Sequence, residues 1–361
     1  MFMTQDNPVR LRDVARAAGV SQGTASNVFN RPDIVRPEVR ERVEAAAREL
    51  GYAGPSLTGR LLRAGKVNAI GVATAEPLTY FFEDQWARAM MAAISAECDK
   101  HGAGLSIVST VNRERPAWNI QSALVDGLIL LCAEEGPALI GQTEKRELPF
   151  VALGLEEGVA DTPGVGIDNR GGAKAAALHL VGLGHKKIAI LGIGEIWNGR
   201  FATPDEVMAT PYLTVRDRAE GYWAGLASAG IGPEDVPYAD TDGERQTVWA
   251  AMERLYAAAE TPTAILAMSD RVALFAIDWL QSNGRRVPED VSVIGFDGVP
   301  EGGETTPGLT TVQQPYQEIA ARAVTSILSG EEIKGWPVLP LPLVVRGSTG
   351  PAPQERVMTF R

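Results

Sequence analysis

From residue 69 onward, short β-rich runs alternate with amphipathic stretches of helical period. Parallel strands can be joined only by a crossover of a dozen or more residues, usually a helix, so this alternation is the mark of a parallel α/β sheet. Residues 69–73, 105–109, 128–132 and 150–153 read as one set of strands, and 187–192, 263–268 and 291–296 as a second. That much sequence fits two Rossmann-like lobes better than one sheet.

A chain of 361 residues is too long for one core, and two or three domains are expected. Its 45% hydrophobic and 22% charged residues exclude the disordered and membrane classes. No run approaches the roughly 18 uncharged apolar residues that span a bilayer. Asp6, Arg10, Arg12, Asp13 and Arg16 stand where a secretory signal needs an apolar stretch, so a cytoplasmic protein without a membrane partner is expected.

Enzyme chemistry finds little to work with. Cys98 and Cys132 form no C-x-x-C pair and read as buried thiols. His101, His179 and His185 lie in no zinc-binding spacing, and the strings for a Walker loop, a nucleophile elbow and a dinucleotide fingerprint are absent. No catalytic residue, metal or cofactor is expected.

The net charge of −11 is unevenly spread. Residues 1–66 hold 11 Lys and Arg against 7 Asp and Glu, a net of +4, leaving 23 against 38, a net of −15, for the rest. A basic head on an acidic body is expected when one small domain alone meets phosphate.

Within that head, Leu11, Val14, Ala15 and Ala18 keep helical spacing until Gly19 stops the run. Ser21 offers an N-cap for a second short helix with Ala25, Val28 and Phe29 inward. A third helix opens at Pro37, buries Val39, Val43, Ala46, Ala47 and Leu50, and ends at Gly51. Two helices joined by a tight glycine turn make a helix-turn-helix. The outward side of the second helix carries Gln22, Gly23, Thr24, Ser26 and Asn27, small or polar groups suited to a major groove.

The runs LRDVARAAGVS (11–21), TASNVFN (24–30), VRPEVRERV (35–43) and LGY (50–52) resemble the headpiece of the lac repressor (LacI/GalR) family of bacterial transcription regulators. The resemblance implies a homodimer, or a higher assembly, on a near-palindromic double-stranded DNA operator. The DNA-binding set it implies is Ser21, Gln22, Thr24, Ser26, Asn27 and Asn30, with Thr24 and Ser26 near phosphates. Arg10 replaces the usual capping Thr, Asn27 stands where an Arg often reads guanine, and Gly23 has no side chain, so readout shifts toward Gln22 and Asn27.

Residues 53–66 read as a linker with one short helix. About eight residues containing Gly59 cannot hold a helix alone in water, so it is expected to form only on DNA. RLLRAGK (60–66) resembles the family's hinge, whose leucine wedges into the minor groove. Aligned from the body, that leucine is Leu62, flanked by Arg60 and Arg63; aligned from Tyr52 it is Leu61, and the flanking arginines favour Leu62.

The resemblance extends through VGIDN (165–169), HLVGLGH (179–185), RAEGY (218–222), AMSD (267–270), VPEDVSVIGFD (287–297), LTTV (309–312), QP (314–315) and VRGST (345–349). It implies a two-lobed, periplasmic-binding-protein-type effector domain with three crossings between lobes. The division expected is a headpiece over 1–52, a linker over 53–66 and a body over 67–361. The first lobe takes about 67–165 and 313–340, and the second about 166–312 and 341–350. Ligands in open α/β sheets bind beyond the carboxyl ends of strands. Arg218, Asp270 and Asp297 are therefore expected to face the cleft and hold a small polyhydroxylated effector, a sugar or a relative. Tyr80 and Phe82 would supply an apolar wall. Sugar-responsive members often carry an acid near Gly154, and none precedes Glu156 here.

The expected function is a ligand-responsive repressor. A transport-type binding protein shares the body but leaves residues 1–66 unexplained, and an enzyme lacks its motifs.

Overall fold

Val14, Val28 and Val43, one from each of three helices, meet at the centre of the N-terminal part. The structure is a computed structural model describing residues 9–54, 66–110, 116–131, 136–154, 162–194, 199–331, 333 and 337–354. It falls into two units, Met1–Val67 and Asn68–Arg361.

In the first unit, α1 (Leu11–Ala17) and α2 (Gln22–Asn30) are joined by a turn in which Gly19 takes φ +65°. A side chain would oppose that left-handed geometry. Helix α3 (Pro37–Glu49) starts on its proline and lies across both. Val14, Ala15, Ala18, Ala25, Val28, Val43, Ala46 and Ala47 form the core, and the Phe29 and Tyr52 rings meet edge to face at 5.7 Å. Two expected core residues differ. Val39 is half-buried, and Leu50, past the end of α3 as its C-cap, is exposed.

The second unit holds β1 (Ala69–Thr74), β2 (Gly104–Ser109), β3 (Gly127–Leu131), β4 (Phe150–Leu153), β5 (Gly164–Ile167), β6 (Ile188–Leu191), β7 (Tyr238–Ala239), β8 (Ala264–Ala267), β9 (Ser292–Asp297), β10 (Thr310–Gln313), β11 (Val338–Leu339) and β12 (Leu343–Val344). They form two six-stranded sheets, ordered β11-β5-β4-β3-β1-β2 and β12-β10-β9-β8-β6-β7. Pairing is parallel except at β12, which runs antiparallel to β10. The central strands read GLILL, IAIL and AILA and are buried throughout, as sheets covered by helices on both faces require.

The seven expected strands are present, each within a residue or two of its expected ends. Strands β5, β7, β10, β11 and β12 were not anticipated. They have two to four residues, and their GVGI, YA and TTVQ sequences carry too short an apolar run to stand out. Among the described residues the chain passes between the sheets at Asp168, at 314–315 and at 340–342. Cys98 is buried, as expected, whereas Cys132 lies outside the described residues.

Candidate functional site

Two places concentrate polar side chains in a way that packing alone does not demand. The first is the outer face of α2. Ser21 Oγ accepts the Thr24 backbone N–H at 3.0 Å and lies 2.8 Å from the Thr24 hydroxyl, which fixes the start of the helix. Asn30 Nδ2 donates to Ser26 Oγ at 3.1 Å, so these two side chains steady each other one turn apart. Gln22, Gly23, Asn27 and Asn30 are exposed, while Thr24 and Ser26 are half-buried. An added Cβ on Gly23 would meet only Ser21 Oγ, at 3.7 Å, so nothing in the fold requires a glycine there. At the start of α1, Arg10 has no side-chain acceptor to cap the helix, and its amide donates to Asp13 Oδ2 at 3.0 Å, the reciprocal half of a capping box. Arg10, Arg12, Arg16, Arg31, Arg36, Arg40, Arg42 and Arg48 are all exposed. Arg60, Leu61 and Leu62 lie outside the described residues.

The second is the carboxyl end of the β6–β10 sheet in the other unit. The helices Asn169–Gly182 and Leu213–Leu226 pack closely because Gly221 and Gly225 face Ala173 and Ala177. That contact sets Arg218 beside Asn169. Arg218 is 4% exposed; its Nε donates to Asn169 Oδ1 at 3.0 Å and its Nη1 to the Met268 carbonyl. Nη2 stands 3.5 Å from Asp297 Oδ1, and the guanidinium lies 3.7 Å above the Phe296 ring.

Asp297 ends β9 with φ +121°, a conformation non-glycine residues avoid, and this strain marks a position whose geometry the surroundings impose. Its Oδ1 accepts from Gln314 Nε2 at 2.8 Å, and Gln314 Oε1 accepts from Trp86 Nε1 at 2.9 Å. A continuous polar chain therefore runs from Trp86 in the first lobe, through the crossover residue Gln314, to Asp297 and Arg218 in the second. Burial pushes the Asp297 carboxyl well above its usual range; Arg218 opposes the rise, and Asp270 and Asp84 add to it.

Asp270 departs from expectation. It is fully buried, accepts the Val299 amide at 2.8 Å and the Thr311 hydroxyl at 2.5 Å, and does not open onto the cleft. Nor does it cap its helix, because Ser269 Oγ accepts the Val272 N–H in that role. As the first residue of Asp270–Ser282, it points back across Gly295 and ties the segment after β9 to β10. Burial lifts its carboxyl to about 6.

Phe82 is placed differently from Tyr80. The short helix Tyr80–Glu83 turns it into solvent at 65% exposure, buries Phe81 in the first-lobe core and leaves Tyr80 half-buried. Burial raises the Tyr80 hydroxyl well above its usual value, helped by Asp84, Glu76 and Asp297 and eased by Arg271. Tyr80 thus lies within the field of Asp297.

Sequence reasoning overlooked Trp86, Asn169, Phe296, Gln314 and Tyr316. Asn169 and Gln314 carried a usable signal, since each sits beside a crossing and inside a quoted motif. Tyr316 is 4% exposed with its hydroxyl unpartnered among the described residues, and the charges of Asp297, Asp270, Arg218 and Asp84 all act on it.

Residues 10–54 match the family of bacterial regulatory proteins, lacI family, and residues 177–349 the periplasmic binding protein-like domain. An HTH-type transcriptional regulator of Mycobacterium tuberculosis is 33% identical over 361 residues, covering 98% of this chain and 100% of the relative. The solved lac repressor dimer, bound to operator and the anti-inducer ONPF, superposes with a TM-score of 0.72 at 28% identity, over 95% of this chain and 100% of that one. A CelR–cellobiose complex does so at 0.65 and 28%, over 94% and 99%. Among the described residues no helix is long and apolar enough to cross a membrane. With a helix-turn-helix unit and a two-sheet body both matched, the chain is a transcription regulator, not an enzyme, and belongs to the lacI family of bacterial regulatory proteins.

Proposed function

We propose that this regulator is a repressor that binds a near-palindromic operator as a homodimer and is switched by a small, sugar-like metabolite held between the lobes. The headpiece over 1–52, the linker over 53–66 and the two-lobed body over 67–361 are the parts of that machine. In it, Ser21, Gln22, Thr24, Ser26, Asn27 and Asn30 of α2 meet the major groove, and Arg60 and Leu62 act at the operator centre. Arg218 and Asp297, with Tyr80 beside them, meet the effector.

The observation that carries the effector site is the polar chain from Trp86 to Arg218, because it joins both lobes through buried groups able to bind hydroxyls. The family relatives solved with an operator or with cellobiose support the reading by kinship. One headpiece buries too little surface for useful specificity, and a symmetric pair doubles the contacts.

The test combines footprinting on the chain's own upstream region with calorimetry against a panel of sugars. The expected results are a two-half-site footprint, lost on deleting residues 1–66, and saturable binding lost in Arg218→Ala. Leu62→Ala should bend the operator less than wild type. A footprint that survives the deletion overturns the DNA reading; sugar binding that survives the removal of both Arg218 and Asp297 side chains overturns the cleft.

A further inference from the structure

Among the described residues Asn68, Glu147 and Asp297 are the non-glycine residues with positive φ, and Asn68, at +58°, stands where the second unit begins. A side chain opposes that left-handed geometry, although asparagine tolerates it better than most. Asn68 is exposed, so no core packing imposes the conformation.

Hydrogen bonds hold it instead. The Asn68 amide donates to Asp126 Oδ2 at 2.6 Å, its side-chain Nδ2 donates to the Gly102 carbonyl at 2.5 Å, and its own carbonyl accepts the Gly104 amide at 2.8 Å. Asp126 takes a second hold, its amide donating to the Ala69 carbonyl at 2.8 Å. The bond from the Asn68 amide to the carboxylate is charge-assisted, the stronger kind. Gly102 and Asp126 stand just before β2 and β3, the two neighbours of β1, so Asn68 is tied to the frame on both sides of the strand.

The sheet ladder already keeps β1 in register from Ala69 to Thr74. The two side-chain bonds act one residue earlier, and the amide that Asp126 accepts belongs to the peptide joining Val67 to Asn68. They therefore fix the plane of the peptide at which the chain enters the second unit. We propose that Asn68 and Asp126 are positioning residues for operator binding: they set the direction in which the linker leaves the body, so that the two headpieces of a homodimer are presented at one preferred spacing. The proposal rests on the DNA reading given above. A two-headed binder gains affinity only where its connection spans both half-sites, and a stiffer connection selects their spacing more sharply.

Fluorescence anisotropy titrations of the full chain test it, with the footprinted operator and with versions whose centre is lengthened or shortened by one and two base pairs. Asn68→Gly keeps the left-handed backbone and deletes the bond to Gly102. Asp126→Ala deletes the acceptor of the boundary amide, whereas Asp126→Asn loses the same charge but retains an acceptor oxygen. Asn68→Gly and Asp126→Ala should each bind the best operator about threefold to tenfold more weakly and lose most of the spacing preference, with affinity for unrelated DNA unchanged. Asp126→Asn should keep the wild-type preference. A merely structural role would lower stability to urea and weaken binding to every operator in proportion, leaving the spacing preference as it was. That result, or a preference unmoved in Asn68→Gly, which carries the test alone if Asp126→Ala does not fold, overturns the clamp and leaves the DNA reading standing. A wild-type chain that gives no footprint overturns both.

Discussion

A Cβ added to Gly221 would stand 2.7 Å from the Ala173 Cβ, well inside van der Waals contact. The backbone of Arg170 closes the same space, so the two helices touch main chain to main chain at this point. Their approach is what brings Arg218, one turn earlier, onto Asn169.

Gly221→Ala should therefore force the helices apart. Overpacking of this kind costs about 1–3 kcal/mol. Urea unfolding should show that loss, and calorimetry should show weaker effector binding than in an equally destabilised variant remote from Arg218. Effector affinity that merely tracks stability would mean the helix pair does not position the guanidinium.

On α2, exposed Asn27 offers a carbonyl and an amide that match the N7 and N6 pair of adenine. Asn27→Ala should lose about 1–3 kcal/mol on the best operator and relax one base position. Thr24→Ala should weaken all sequences alike, and affinity should fall steeply with added salt. A randomised-operator selection reads both outcomes; an unchanged base preference in the Asn27 variant would remove it from readout.

Trp86 Nε1 donates across the lobes to Gln314. Trp86→Phe keeps an aromatic side chain, though a smaller one, and deletes that donor, leaving Gln314 Oε1 without it, a loss of about 1 kcal/mol for the hydrogen bond. If the chain holds the lobes in the binding geometry, effector affinity should drop about threefold to tenfold. Equal affinities in the two proteins would show that the link is incidental.

His185 governs part of the pH response. Its ring is 1% exposed and bonds Thr263 Oγ1 at 2.9 Å, Ser292 Oγ at 3.0 Å and the Gly350 carbonyl at 3.0 Å. Because the carbonyl only accepts, Nε2 carries the proton and Nδ1 accepts from Thr263. Burial lowers its pKa from 6.5; the Gly350 carbonyl opposes that and His179 adds to it. The folded state then binds fewer protons than the unfolded state, so stability is full above pH 6.5 and falls as the pH drops toward the folded value. Asp270, raised to about 6, has the opposite sign: its folded form holds the proton more tightly, so acidification through that range adds stability. Comparing wild type with His185→Gln cancels the Asp270 effect. Between about pH 7 and pH 5 the variant should lose less stability than wild type, by up to about 1 kcal/mol per pH unit. Parallel curves would assign the acid sensitivity elsewhere.

Much of this molecule follows from local sequence. The head is legible because its apolar spacing, the Ser21 cap, the Gly19 turn and Pro37 act within a turn or two of where they stand. The long strands are legible because a strand buried on both faces must be apolar throughout, as GLILL is. Short edge strands such as β7 and β12 gave no such signal, because neighbours, not composition, make them strands. Arg218 and Asp297 stood out from strand ends and motif resemblance, and they do meet.

What each acid or aromatic faces was decided only by the tertiary structure. Asp270 and Asp297 both stand at the carboxyl ends of strands of one sheet, yet one turns inward to Val299 and Thr311 while the other reaches Gln314 and Arg218. Tyr80 and Phe82 are two residues apart, and a single helical turn sends them in different directions. Trp86 and Gln314 are 228 residues apart in sequence and 2.9 Å apart in space. Periodicity reports which side of an element is apolar; which partner a polar side chain finds depends on how distant elements close over it, and sequence spacing carries no record of that closure.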